Sequence, residues 1–254
     1  MPESEVTLLT QNAWGGAPGW APRRERLARA IADLSPDVVG LQEIHAEASV
    51  ASGEGESQAH ELARLAGDYA ASFLPGRVTA DGHSEGVALL IKRSVPVLET
   101  VACKLSRDEH DLLDGPHQRV ALRAAVRVGD SVLDAVVTHL SLSKRARART
   151  LVELGAFASN ERERGAVLMG DFNATPDEAG FQTLAEDGWV DAWAHTSSDR
   201  GGTWPSPAPF RRIDYVWVRR GGRDGGGWDI RECTRTAVSG SDHVGVLVRL
   251  RRSS

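Results

Sequence analysis

The stretch Val167-Leu168-Met169-Gly170-Asp171-Phe172-Asn173-Ala174-Thr175-Pro176 constrains this chain more than any other. An uncharged apolar run breaks off in Gly-Asp-Phe-Asn, and Pro176 bars the segment from continuing in a sheet. The pattern predicts a buried strand whose carboxyl end presents a carboxylate and, two residues on, a carboxamide. On an extended chain residues i and i+2 face the same side. Ligands of α/β sheets bind beyond the carboxyl ends of strands. Alone, the segment reads equally well as an Asx-rich turn, so the other strand ends decide.

Residues 6–10 read as a strand ending in Gln11-Asn12-Ala13-Trp14. Pro22 opens a helix with Leu27, Ala30, Ile31 and Leu34 on one face, leaving Arg23, Arg24, Arg26 and Arg29 to solvent. A second buried strand, 37–43, ends at Glu43 and is followed by a mobile acidic loop over 46–57. A helix over 58–66 and strands over 69–74, 87–92 and 95–104 come next, with Glu85 just before the second of these strands. Residues 106–116 form an acidic loop. Alternation of Val120, Leu122, Ala124, Val126 and Val128 predicts a half-buried antiparallel strand over 119–128. It turns at Gly129-Asp130 into strand 132–138, which ends at His139.

Helix 144–160 points Leu151, Leu154 and Phe157 inward. Its first turns carry Lys144, Arg145, Arg147 and Arg149, where cations oppose the helix dipole. They are either kept for a ligand or simply a solvated face. A helix over 177–186, a Gly/Pro loop over 199–212 holding Trp204 and Phe210, and strands over 213–218 and 228–236 complete the pattern, the last two joined by a flexible hairpin at 221–227. Ser241-Asp242-His243 then leads into a final alternating strand. With no linker and no repeat, the chain reads as a single domain, 1–254, on packed sheets.

Composition matters at three points. Hydrophobic residues at 41% of 254 suffice for a substantial core, and a net charge of −5 gives no global basic field to draw nucleic acid or anionic membrane. Cys103 and Cys233 lack C-x-x-C spacing and fit a reducing compartment, though one disulfide between them is allowed. The start Met-Pro-Glu-Ser-Glu carries no basic-then-apolar leader, so a cytoplasmic protein is expected.

Asn12, Glu43, Glu85, His139, Asp171 with Asn173, Asp214, and Asp242 with His243 all fall at edges of expected strands. Gathered on one rim, so many carboxylates cannot all stay ionised without a cation. Oxygen donors without cysteine suit hard Mg²⁺ or Mn²⁺, the usual ions of phosphoryl transfer. Histidine beside aspartate holds one imidazole tautomer and stabilises its cation.

These motifs in this order resemble the endonuclease/exonuclease/phosphatase superfamily, the deoxyribonuclease I-like fold, over nearly the whole chain. The match is carried by Thr10-Gln11-Asn12, Leu41-Gln42-Glu43, Ser84-Glu85-Gly86, Thr138-His139, Gly170-Asp171-Phe172-Asn173, Arg212-Ile213-Asp214-Tyr215 and Ser241-Asp242-His243. The resemblance implies an α/β (α+β) fold: a four-layer α/β/β/α sandwich of two packed mixed β-sheets with helices outside. It implies Glu43 as principal Mg²⁺ ligand, with Asn12 and Asp242 nearby as direct or water-mediated ligands. It further implies His243 as acid or base oriented by Asp214, His139 as second histidine with Glu85 as partner, and Asp171 activating water. Asn173 would bind phosphate, and Arg119 stands where relatives place a phosphate-facing arginine.

The implied activity is a Mg²⁺-dependent hydrolase of phosphoric ester bonds, diester or monoester. Apurinic-site endonucleases carry an Asn-x-Tyr-x-Pro-Asn segment where this chain has Val137-Thr138-His139-Leu140-Ser141, which disfavours DNA repair. A non-specific endonuclease on DNA or RNA and a sphingomyelinase-like phospholipid hydrolase are the alternatives, and a non-catalytic binding module ranks last. Acidic loops at 46–57 and 105–117 would repel a long polyanion, favouring a small phosphodiester or phosphorylated metabolite. Only Trp204 and Phe210 argue for a membrane partner, and a monomer is expected.

Overall fold

A computed structural model describes residues 4–47, 56–158, 164–221, 227–237 and 240–253. One six-stranded sheet contains β1 (Glu5–Asn12), β2 (Val38–Ala46), β3 (Tyr69–Val78), β4 (Ser84–Lys92), β11 (Trp228–Arg235) and β12 (Val246–Arg252), in the order β11-β12-β1-β2-β4-β3. The other contains β5 (Val97–Lys104), β6 (Val120–Val128), β7 (Ser131–His139), β8 (Gly165–Asp171), β9 (Trp189–Asp191) and β10 (Asp214–Arg219), in the order β5-β6-β7-β8-β10-β9. Each sheet has one parallel pair at its middle, β1/β2 and β7/β8, and is otherwise antiparallel. Parallel neighbours need a crossover. Helix α1 (Trp20–Leu34) provides the first; α2 (Gln58–Ala66) follows β2, and α3 (Lys144–Ala158) provides the second. Short helices α4 (Gly180–Glu186) and α5 (Ala192–Thr196) complete the described set.

Three apolar layers hold the sandwich together. Leu8, Val38, Leu89, Val137, Val167, Met169 and Val248 interdigitate between the sheets. Leu27, Ile31 and Leu62 seal α1 and α2 onto the outer face of the first sheet. Leu151, Leu154, Phe181 and Leu184 do the same for α3 and α4 on the second. The expected four-layer α/β/β/α sandwich is the observed fold. At Gly40 the sheets approach so closely that a Cβ would lie 3.0 Å from Val137 and 3.1 Å from Met169.

Several local expectations change. Strand β6 is buried on both faces, because α3 covers its second face and the polar position there, Arg123, lays its guanidinium over the Phe157 ring at 5.4 Å. Glu43 does not end β2, which continues to Ala46 through a bulge between Leu41 and Ile44. Arg23 is buried rather than solvated. Strand β9 and helix α5 occupy a stretch that carried no pattern, and α4 begins at Gly180. Residues 48–55 of the expected acidic loop and 222–226 of the expected hairpin lie outside the described residues. Both cysteines are free thiols, and no described helix is long and apolar enough to cross a membrane.

Candidate active site

The two parallel pairs end on the same rim. Strand β1 delivers Asn12 there, the bulge of β2 delivers Glu43, β7 ends at His139 and β8 at Asp171. Asp214, the first residue of β10, pairs with Asp171 across the ladder, and the 241–243 segment arrives just before β12. Glu43, His139, Asp171, Asp242 and His243 border a cleft of about 560 Å³, with Asn12 and Asp214 set behind them.

A file of charged groups runs along its floor. Asp214 Oδ2 lies 2.9 Å from His243 Nδ1, and His243 Nε2 faces Asp171 Oδ2 at 3.8 Å. Asp171 Oδ2 also lies 3.5 Å from His139 Nε2. The Asn12 amide nitrogen donates to Glu43 Oε1 at 2.9 Å and to Asp171 Oδ2 at 3.1 Å, while its oxygen accepts from Trp14 N at 2.9 Å. Turning that amide about its last bond would present the oxygen to the carboxylates' side. Asn173 is not extended: at φ 50 its N–H closes an Asx turn onto Asp171 Oδ1 at 2.8 Å. Its amide nitrogen donates to Leu140 O at 3.0 Å and sits 3.1 Å from His139 Nε2. The same-side reading of Asp171 and Asn173 therefore holds through a turn, not through strand pleating.

Burial decides the ionisation of these groups. It lowers the His243 imidazole, but the Asp214 charge and hydrogen bond, with Asp171 and Asp242 beyond, outweigh it and push the group up to about 10. Burial, then repulsion from Asp214, raises Asp171 to about 7. His139 is driven well below the usual imidazole range by burial and then by the charges of Arg119 and His243, so it is neutral. Burial raises Glu43 too, with Glu85 adding repulsion.

The donor set fits a hard cation. Asp242 accepts from Trp204 Nε1 at 3.2 Å through Oδ2, and its Oδ1 is buried with no hydrogen-bond partner. Glu43, Asp171 and His139 offer ligand atoms within 4.8 Å of one another. An orphaned carboxylate oxygen beside such a cluster is what an oxygen-ligated divalent ion would satisfy.

Arg119 lies just ahead of β6 and lines the cleft. Its Nε is buried without a partner, in the field of Glu85, Asp171 and Glu43. Glu85 also lines the cleft, but it faces His45 Nε2 at 3.8 Å, and among the described residues no hydrogen bond joins it to His139. The reason is its place inside β4, where it pairs with His45 of β2. Two of the three arginines of α3 are spoken for. Arg147 is paired with Glu178 and the carbonyls of Ser141 and Leu142, and Arg149 with Asp114 of the acidic loop.

Two supports went unseen in the sequence. Arg23 donates to the carbonyls of Ala13, Trp14, Ala17, Pro18 and Gly240, pinning the turn after Asn12 to the residue before Ser241. The Ser241 hydroxyl donates to Asn12 O at 2.7 Å and accepts from His243 N at 3.1 Å. Arginine off the apolar face of a helix carries no signal that separates such a clamp from a solvated cation.

The model of the endonuclease/exonuclease/phosphatase family matches residues 9–243. No curated protein matches the chain. Among solved structures, an endonuclease/exonuclease/phosphatase from Beutenbergia cavernae is similar at 25% identity and TM-score 0.79, covering 98% of this chain and 72% of that one. One from Bacteroides vulgatus is similar at 20% identity and TM-score 0.78, covering 97% and 98%. A mannosyl-6-phosphatase from Bacteroides thetaiotaomicron shares the fold at 17% identity and TM-score 0.72, covering 96% and 99%. With the matched model spanning both parallel strand pairs and the Ser241-Asp242-His243 segment, the chain belongs to the endonuclease/exonuclease/phosphatase family.

Proposed function

We propose that the protein hydrolyses a small phosphodiester or phosphomonoester by in-line attack of water, with Mg²⁺ or Mn²⁺ as cofactor. The observation that carries this reading is the Asp214–His243–Asp171 file, in which one imidazole nitrogen is fixed and the other is aimed into the cleft. Asp214 holds the His243 tautomer, leaving Nε2 to exchange a proton with the reacting group. Asp171, near neutral in its proton affinity, orients and deprotonates the attacking water. Neutral His139 and the Asn173 amide meet the phosphoryl oxygens as hydrogen-bond partners, and Arg119 supplies a fixed positive charge there.

Glu43 and Asp242, with Asn12 orienting the first, would hold the divalent ion, which neutralises charge on the phosphoryl oxygens when bound. A small substrate is favoured by the cleft volume and by the net charge of −5. A mannosyl-6-phosphatase from Bacteroides thetaiotaomicron shares this fold, in keeping with a small phosphorylated substrate. A monomer in a reducing, cytoplasmic setting suits the two free thiols.

The test is release of p-nitrophenol from bis(p-nitrophenyl) phosphate and p-nitrophenyl phosphate with Mg²⁺, Mn²⁺ or EDTA, with plasmid DNA in parallel. His243→Ala should keep its circular dichroism spectrum and lose roughly 10²–10⁴-fold in kcat. Activity that survives both EDTA and this substitution would sink the reading. Plasmid nicking faster than ester hydrolysis would move the substrate to nucleic acid.

A further inference from the structure

A narrow crevice opens off the catalytic cleft on the β3–β4 side and shares Glu85, His117, Arg119 and His139 with it. Three strands build it. β3 slips register between Pro75 and Arg77, and Arg77 lands opposite Glu85 of β4. Gly76, at the slip, is pressed against the segment leading into β6, since a Cβ there would lie 2.5 Å from Gln118 O. This contact sets Arg77 of one sheet beside His117 and Arg119 of the other.

The charge of the crevice is unbalanced. Arg77 and Arg119 are both cationic, and among the described residues neither guanidinium makes a hydrogen bond or an ion pair, Arg119 Nε being buried as well. The single carboxylate lining the crevice, Glu85, is shared with His45 at 3.8 Å. Gln118 adds no free donor, because its amide nitrogen is used by Leu105 O and Arg119 O. His117 contributes a partly exposed imidazole at the mouth. Leaving a buried guanidinium nitrogen without an acceptor costs free energy unless a ligand supplies one. Guanidinium pairs are matched best by phosphate or carboxylate oxygens.

We infer that Arg77 and His117 form a second anion subsite that shares Arg119 with the main cleft, Arg119 bridging the two, so that the substrate carries a further phosphate besides the one hydrolysed. The inference rests on the phosphoesterase reading of the adjoining cleft. The second group binds without being cleaved, because the file of Asp214, His243 and Asp171 serves only the main cleft.

The experiment compares thymidine 5′-(p-nitrophenyl phosphate) with its 3′-phosphorylated counterpart in Mg²⁺, where the wild type should favour the latter about tenfold in kcat/KM. Arg77→Gln should cut that preference to about threefold or less by raising KM, while hydrolysis of the singly phosphorylated ester stays within about twofold. Equal kcat/KM for the two esters in the wild type, or a variant that slows both alike, would overturn the subsite.

Calorimetric titration with thymidine 3′,5′-bisphosphate and thymidine 5′-monophosphate separates the two readings. Tighter binding of the bisphosphate, abolished by Arg77→Gln, with no hydrolysis of either ester or of p-nitrophenyl phosphate, would keep the subsite and remove the phosphoesterase. Hydrolysis without any bisphosphate preference would do the reverse. Failure to bind or cleave any of the four compounds would overturn both.

Discussion

Glu43 and Asn173 reach the cleft on backbone in the left-handed region, at φ 53 and φ 50. Such conformations are costly for non-glycine residues and gather where a side chain must be aimed. Their neighbours His243 and Asp171 store a second kind of tension, in protons. Both have their proton affinity raised in the folded state, His243 to about 10 and Asp171 to about 7. Through these two groups the folded protein binds more protons than the unfolded chain, so their contribution to stability falls as pH rises, whereas neutral His139 works in the opposite sense up to the ordinary imidazole range. For His243 the contribution is complete below its unfolded value near ~6.5 and disappears as pH climbs through about 10. For Asp171 the loss comes earlier, as pH rises from about 4 through about 7. Above the ordinary imidazole range, where the lowered histidines no longer titrate, metal-free protein should accordingly lose melting temperature as pH climbs toward about 10, and His243→Gln should flatten that fall. A wild-type melting temperature that climbs over this range, measured by scanning fluorimetry in EDTA, would contradict the assignment.

The elements that carry these residues are held to the rim by close backbone contacts. At Gly170, φ 152, a Cβ would lie 2.0 Å from Thr138 O on the neighbouring β7. Gly170→Ala must push β8 away from β7 next to Asp171, at a cost on the order of 1–3 kcal/mol, visible as a lower denaturant midpoint. An unchanged midpoint would mean the strand end yields freely. Strand ends of this kind were legible in the sequence because polar groups recur at the boundary of one apolar run after another, Gly-Asp-Phe-Asn closing β8 and Ser-Asp-His preceding β12, although a single such segment reads equally well as a turn. The bulge at Glu43 was not, since one inserted residue leaves the apolar pattern through Leu41 and Ile44 intact. The second buried face of β6 was hidden for another reason: Ala121 and Ala125 are small enough to read as neutral, and Arg123 as exposed. The Glu85–His139 pairing came from resemblance alone. What decides it is register between β2 and β4, which no single segment encodes.

At the scale of the molecule, the second sheet is one continuous stretch of chain, from β5 to β10, inserted into the first. The first is completed by β11 and β12 only after that stretch has ended. β12 lies between β11 and β1 and registers Val246–Arg251 against Glu5–Thr10. A chain cut before residue 241 would leave the β1 edge unpaired, with Leu8 and Val6 losing their cover, and unpaired apolar edges associate. It should sediment as aggregate, and recovery of a monodisperse, cooperatively melting fragment would refute this.

The same arrangement has a consequence for the newborn polypeptide. Asp242 and His243 enter the cleft on the segment that leads into the final strand, whereas Asn12 and Glu43 are made near the beginning. Until the 241–243 segment has been made, Glu43 and Asn12 have neither Asp242 nor His243 to face. The rim can therefore be completed only after β12 has been made and has paired with β1, so the order of synthesis fixes when this constellation first exists.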